Sequence, residues 1–214
     1  LNPDLAEDGI WREHVLPLFA DVPENVKSIC HYGFTEIVNN VLDHSEAKRL
    51  FINISINIKQ IIISIVDDGV GIFRKITKVC KLENDLHAVL ELSKGKLTTD
   101  PERHSGEGIF FTSRLFNHFS ILSGEICFIH FSDDEYWALE LKNPKNENLH
   151  GTEIKMQIRL NSVRNLEDVF DEFTTKDDMY GFSRTVVPVF LAQYGDENLV
   201  SRSQAKRLLA RFEK

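Results

Sequence analysis

Cysteine is scarce in this chain: Cys30, Cys80 and Cys127 are the only three in 214 residues. Their spacings fit no metal-ligand pattern, so they read as reduced, mostly packed thiols in a reducing, cytoplasmic compartment. Positive charge is also short. With 25 Lys and Arg against 33 Asp and Glu, the formal net charge is −8, which argues against nonspecific nucleic-acid binding by the chain as a whole. No apolar run is long enough to cross a membrane and no signal peptide is visible, so no membrane partner is expected. Internal repeats and low-complexity tracts are absent. The first residue is Leu1 rather than Met, so the chain reads as an excerpt or a processed product.

What is present is an ordinary globular composition, enough for one large domain or one domain plus a fragment. Residues 8–20 predict a short amphipathic helix, with Trp11, Val15, Leu18 and Phe19 inward and Pro17 limiting its length. His14 lies on it, but Val15 rather than an acid follows, so it reads as an exposed helix histidine and not as a phosphoacceptor. A helix is predicted from about 23 to 45, opened by Pro23 and Glu24. Residues 49–58 alternate strictly, with Leu50, Ile52, Ile54, Ile56 and Ile58 on one face. That is a half-buried strand, and Lys59–Gln60 turns it into a second.

Three stretches carry chemistry. Within the 23–45 helix, Phe34, Ile37, Val38, Val41 and Leu42 repeat at helical spacing, which leaves Glu36, Asn40 and His44 aligned on the other face. The second strand ends in Asp67-Asp68-Gly69-Val70-Gly71, where a carboxylate and two glycines let the backbone approach a flat ligand. A plain Asp-Gly turn has the same composition. Gly106-Glu107-Gly108 opens a segment that reads as a helix over 109–119, so its N–H groups are offered to an anion. Between the last two stretches, residues 73–105 read as a lid: a helical part near 76–94, then breakers and charge. Three further strands are expected at 119–130 (bent at Ser123-Gly124), 135–142 and 151–160, the last opened by Gly151-Thr152.

EIVNNVLDH, DDGVG and GEG, in this order, resemble the GHKL ATP-binding fold of gyrases, heat-shock chaperones, histidine kinases and mismatch-repair ATPases. The spacing E-x-x-x-N-x-x-x-H looks most like the serine kinases that act as bacterial anti-sigma factors. The resemblance covers about residues 25–160. It implies an α+β two-layer sandwich, the Bergerat fold, with helices on one face of a mixed, mostly antiparallel sheet. The tail, through GFSRT and LVSRSQAKRLL, resembles the start of a STAS-like domain. The implied division is 1–160 for the ATPase domain and 161–214 for a partial second module, whose last helix has a basic face.

The resemblance also implies roles. Asn40 would hold Mg²⁺ on the phosphates of ATP, and Glu36 would be the general base toward the γ-phosphate. Asp67 would accept the adenine amino group, with Gly69 and Gly71 admitting base and lid. Gly106 and Gly108 would offer N–H groups to the phosphates, and Thr152 would contact adenine. His44 and Arg103 are further candidates for phosphate or lid contacts. One departure is Phe110, where many relatives have glycine; a bulky residue there would stiffen the phosphate loop and slow turnover. Two functions follow: a serine-kinase switch acting on a STAS-like or other regulatory protein, or an ATP-gated interaction module with little chemistry. A homodimer is compatible with either. A sensor histidine kinase catalytic domain fits less well, because no dimerisation helix is visible, and nucleic-acid binding rests only on the basic last helix.

Overall fold

The computed structural model describes residues 7–93, 107–132, 136–141 and 150–173, with 136–141 described by its backbone. Arg103, Gly106, residues 94–105 of the expected lid and residues 174–214 of the expected second module lie outside the described residues.

The chain opens with α1 (Glu7–Ile10), which runs on as a π-turn over Trp11–Val15 and a 3₁₀ turn over Leu16–Phe19. Trp11, Val15 and Phe19 are buried as expected, but Leu18 is 56% exposed. The uniform 3.6-residue period assumed for this stretch is broken twice. A wide turn is followed by a tight one that begins at Leu16 and carries Pro17, so the buried face no longer keeps one period.

After it comes α2 (Glu24–His44), the spine of the fold. Its apolar stripe, Val26, Ile29, Phe34, Ile37 and Val38, is fully buried. Each such side chain contributes about 1.5–3 kcal/mol of burial. The helix stops where the Ser45 hydroxyl donates to the Val41 carbonyl at 2.7 Å and Glu46 takes a φ of 59°.

A six-stranded sheet follows in the order β1-β2-β6-β3-β4-β5. Its strands are β1 (Leu50–Ile56), β2 (Gln60–Asp67), β3 (His118–Ser123), β4 (Ile126–Phe131), β5 (Tyr136–Leu141) and β6 (Glu153–Arg159). Every described pairing is antiparallel, so the sheet is not mixed. The stretch expected as one bent strand is two. Gly124, at φ 59°, and Glu125 form a two-residue hairpin turn that pairs Ser123 with Ile126. Ile58 leaves the β1 face and is 90% exposed. The Asn57 side-chain oxygen accepts from the N–H groups of Lys59 and Gln60, which ends the strand and leaves Ile58 at the tip of the turn.

The crossover from β2 to β3 carries α3 (Ile72–Val79), α4 (Asp85–Ser93) and α5 (Gly108–Leu115). The expected helix near 76–94 is therefore two, separated by Lys81 at φ 52°. α5 stops well before 119. Phe116 is already extended, and the Asn117 side-chain oxygen accepts from Arg159 N–H at 2.8 Å, which draws the chain into the sheet. Helices cover one face, over Ile63, Ile65, Ile121, Ile154 and Met156. On the other face Phe51, Ser64, Ser120 and Lys155 are half-buried or open, while Cys127 is buried. This is an α+β two-layer sandwich.

Past residue 160, α6 (Leu166–Phe173) packs its Val169, Phe170 and Phe173 onto the same core. Its ring contacts are Tyr32–Phe170, Phe111–Phe170 and Phe110–Phe173. The described part of the tail thus belongs to the first layer of helices. No described helix is long and apolar enough to cross a membrane.

Candidate functional site

The polar stripe of α2 forms as its spacing requires. Glu36, Asn40 and His44 are half-buried on one face, and Tyr32 extends the stripe one turn toward the N-terminus. Nothing local in the sequence marks Tyr32, because the ring that fixes its setting, Phe170, is distant along the chain. The Tyr32 ring packs on Phe170 at 5.3 Å. Its hydroxyl is pushed above the usual range, first by burial and then by the nearby Glu36 and Glu107 carboxylates.

Gly69 and Gly108 meet this stripe at two separate places, Ser45 and Glu36. At the C-terminal end the Asp67–Gly71 turn docks on Ser45: Val70 N–H donates to the Ser45 carbonyl at 2.9 Å. A Cβ on Gly69 would lie 2.1 Å from that carbonyl oxygen. Gly71 sits at φ 84°, with Ser123 Oγ 2.7 Å from where its Cβ would be. The space these glycines leave is therefore taken by the chain itself.

Asp67 ends β2 only 4% exposed. Its N–H donates to the Thr152 carbonyl at 2.9 Å, and its Oδ1 accepts from Gly69 N–H at 2.8 Å. Burial raises its pKa, opposed by the Gly69 and Thr152 hydrogen bonds. Thr152 Oγ1 also accepts from Ile72 N–H at 3.0 Å, tying the start of α3 to β6. Gly151, at φ 93°, is pressed so closely on the Asp67 carbonyl that a Cβ would lie 1.9 Å away. Asp68 is the opposite case. Its carboxylate is held down at about 2 by Arg49, with Lys48 N–H assisting, and the Arg49 Nε contact is 2.9 Å.

At the other end, Gly108 begins α5 directly over Glu36. A Cβ on Gly108 would lie 2.0 Å from Glu36 Oε2. The carboxylate thus occupies the N-terminal end of α5, where N–H groups and the helix dipole favour negative charge. Gly69 touches Ser45 and Gly108 touches Glu36. Those α2 residues are separated by about 13 Å along the helix, at 1.5 Å per residue.

Phe110 is not in the loop. It is buried, edge-on to Phe111 and Phe173, with the Arg114 guanidinium 3.4 Å over its ring. Arg114 also donates to the Phe110 carbonyl at 3.1 Å. This locks the second turn of α5 to α6. The glycine expected at that position is replaced by a core residue, not by an obstruction at Gly108.

Among the described residues no three His, Cys, Asp or Glu side chains are grouped to hold a metal ion. A magnesium held by one amide, phosphates and water makes no such group. The cysteines are all free, with Cys30 and Cys127 buried and Cys80 half-buried, and burial pushes the Cys30 thiol up. Neither the profiles of known protein families nor the curated protein sequences give a match to this chain.

Proposed function

We propose that the α2 stripe binds Mg-ATP, with adenine at the Asp67–Thr152 end and the phosphates at the Glu36–Gly108 end, as the GHKL resemblance implies. The observation that carries this reading is the placement of Gly69 and Gly108 against one helix, the first at Ser45 just past its C-terminal end and the second at Glu36 near its middle. A buried aspartate is a suitable acceptor for an exocyclic amine. A glycine-opened helix N-terminus is a suitable seat for phosphate.

The residues present fit a hydrated magnesium ion. A phosphate beside α5 would stand next to the Glu36 carboxylate, and two anions that close need a cation between them. Asn40, one turn along the same face, supplies a neutral oxygen for it. When bound, the ion neutralises phosphate charge. Glu36 is then the base that takes a proton from an incoming hydroxyl or water. His44 lies one turn further on, toward the adenine end.

The reaction is phosphoryl transfer to a serine of a STAS-like or other regulatory protein. The second reading, an ATP-gated interaction module, is favoured by one observation. Glu36 already serves as the counter-charge of the α5 N-terminus, which a structural carboxylate would do equally well. Incubation with γ-labelled ATP and Mg²⁺, with and without a STAS-domain protein, separates the readings. Label on protein supports the kinase, free phosphate a hydrolase, and ATP retained unchanged the module. Absence of ATP binding removes both.

A further inference from the structure

The sheet ends at β1, and among the described residues no strand pairs with its outer edge. The ladder fixes what that edge presents. Asn57 N–H donates to the Gln60 carbonyl at 3.0 Å and Asp68 N–H to the Arg49 carbonyl at 3.4 Å. In an antiparallel ladder bonded pairs alternate, so Phe51, Asn53 and Ser55 bond to β2. Leu50, Ile52, Ile54 and Ile56 therefore aim their N–H and C=O groups outward.

Edge strands are ordinarily guarded by Lys, Pro or a bulge. The sequence LFINISI has no proline and no charge. Beside it, Leu50, Ile52 and Ile54 line a mostly apolar groove of about 390 Å³ with Ile10, Val15, Leu18 and one polar residue, His14. Among the described residues, Phe51, Ile56 and Ile58 on or next to this strand and Leu18 beside it are exposed large apolar side chains.

We infer that β1 pairs with β1 of a second copy of this chain, about a two-fold axis through Asn53. The strand is complementary to itself in that register. Outward-bonding residues must face outward-bonding residues, and centring on Asn53 sets Leu50 against Ile56 and Ile52 against Ile54 over all seven residues. The grooved face then meets its own apolar row, and the opposite face sets Phe51 against Ser55 and Asn53 against Asn53. Arg49, at one end of the overlap, is already neutralised by Asp68. The two sheets become one continuous antiparallel sheet with an isologous interface. The inference does not depend on what the α2 stripe binds.

Sedimentation of the full chain over a range of concentrations, combined with cysteine cross-linking, tests it. The parent is expected to be a dimer. Asn53→Cys should form an intermolecular disulfide on mild oxidation, because facing Cα atoms in a non-bonded pair lie about 4.5 Å apart. Ser55→Cys should not, since its two copies would be about 13 Å apart along the strands. The parent, with its own three cysteines, is the control. Ile56→Lys should give a monomer with an unchanged circular dichroism spectrum. The inference is overturned by a monomeric parent at every concentration, by cross-linking through Ser55→Cys instead of Asn53→Cys, or by a dimer indifferent to both Ile56→Lys and Asn53→Cys.

Discussion

The two ends of the α2 stripe meet their glycines by different means. At the Ser45 end the contacts are main chain on main chain: Gly69 against the Ser45 carbonyl, Gly151 against the Asp67 carbonyl. At the Glu36 end Gly108 meets the tip of a side chain. Backbone cannot move aside, whereas a glutamate can rotate. The first end is thus bound up with the stability of the sandwich. The second can rearrange around a ligand without unfolding it.

The largest expected effect is chemical. Glu36→Gln should retain Mg-ATP binding yet lose phosphoryl transfer by about 10²–10⁴-fold, whereas Asn40→Ala should lose both. Transfer at the parental rate in Glu36→Gln would leave Glu36 as only a helix counter-charge. Next comes stability. Gly151→Ala combines a positive φ with a clash against backbone and should cost roughly 3 kcal/mol in urea unfolding. Gly108→Ala should change stability by about 1 kcal/mol or less, while weakening nucleotide binding because Glu36 must shift. Equal stability losses in the two variants would erase the contrast between the ends.

How far the sequence led can be seen at particular residues. The stripe and the β1–β2 pairing up to Ile56 follow from strict periods of 3.6 and 2, whereas Ile58 falls in the turn that Asn57 makes. Leu18 misled because a π-turn and a 3₁₀ turn have other periods. The β3–β4 hairpin reads as one bent strand because its turn has only two residues, Gly124 and Glu125, between the strands. Phe116 continued a helical pattern, but Asn117 bonds across to β6, a long-range contact that no local window contains. Tyr32 and Arg114 escaped notice for the same reason. Their settings depend on Phe170 and Phe173, which were assigned to a different module.

A further effect on stability, this one dependent on pH, lies beneath α5. His130 is buried, its Nδ1–H donates to the Ser113 carbonyl at 2.6 Å, and burial, with Arg114 and Arg164 nearby, lowers its pKa to about 4. Between the ordinary histidine value and 4 the unfolded chain binds a proton that the folded chain refuses. Stability should therefore fall as pH drops through that window, by roughly 2–3 kcal/mol from this residue. Chemical denaturation of His130→Phe at pH 7 and pH 4.5 should show a flatter dependence than the parent. An unchanged slope would assign the acid sensitivity to other groups.

The most direct test of the central claim is a calorimetric titration of the chain with ATP and with GTP in the presence of Mg²⁺, repeated on Asp67→Asn. Asp67 must accept from the adenine amine, and guanine offers an oxygen at that place, so ATP should bind and GTP should bind at least about tenfold more weakly. The Asp67→Asn variant should lose ATP affinity while its unfolding midpoint stays near that of the parent. No heat with either nucleotide, or equal ATP affinity in parent and variant, would contradict the assignment of the α2 stripe as an adenine-nucleotide site.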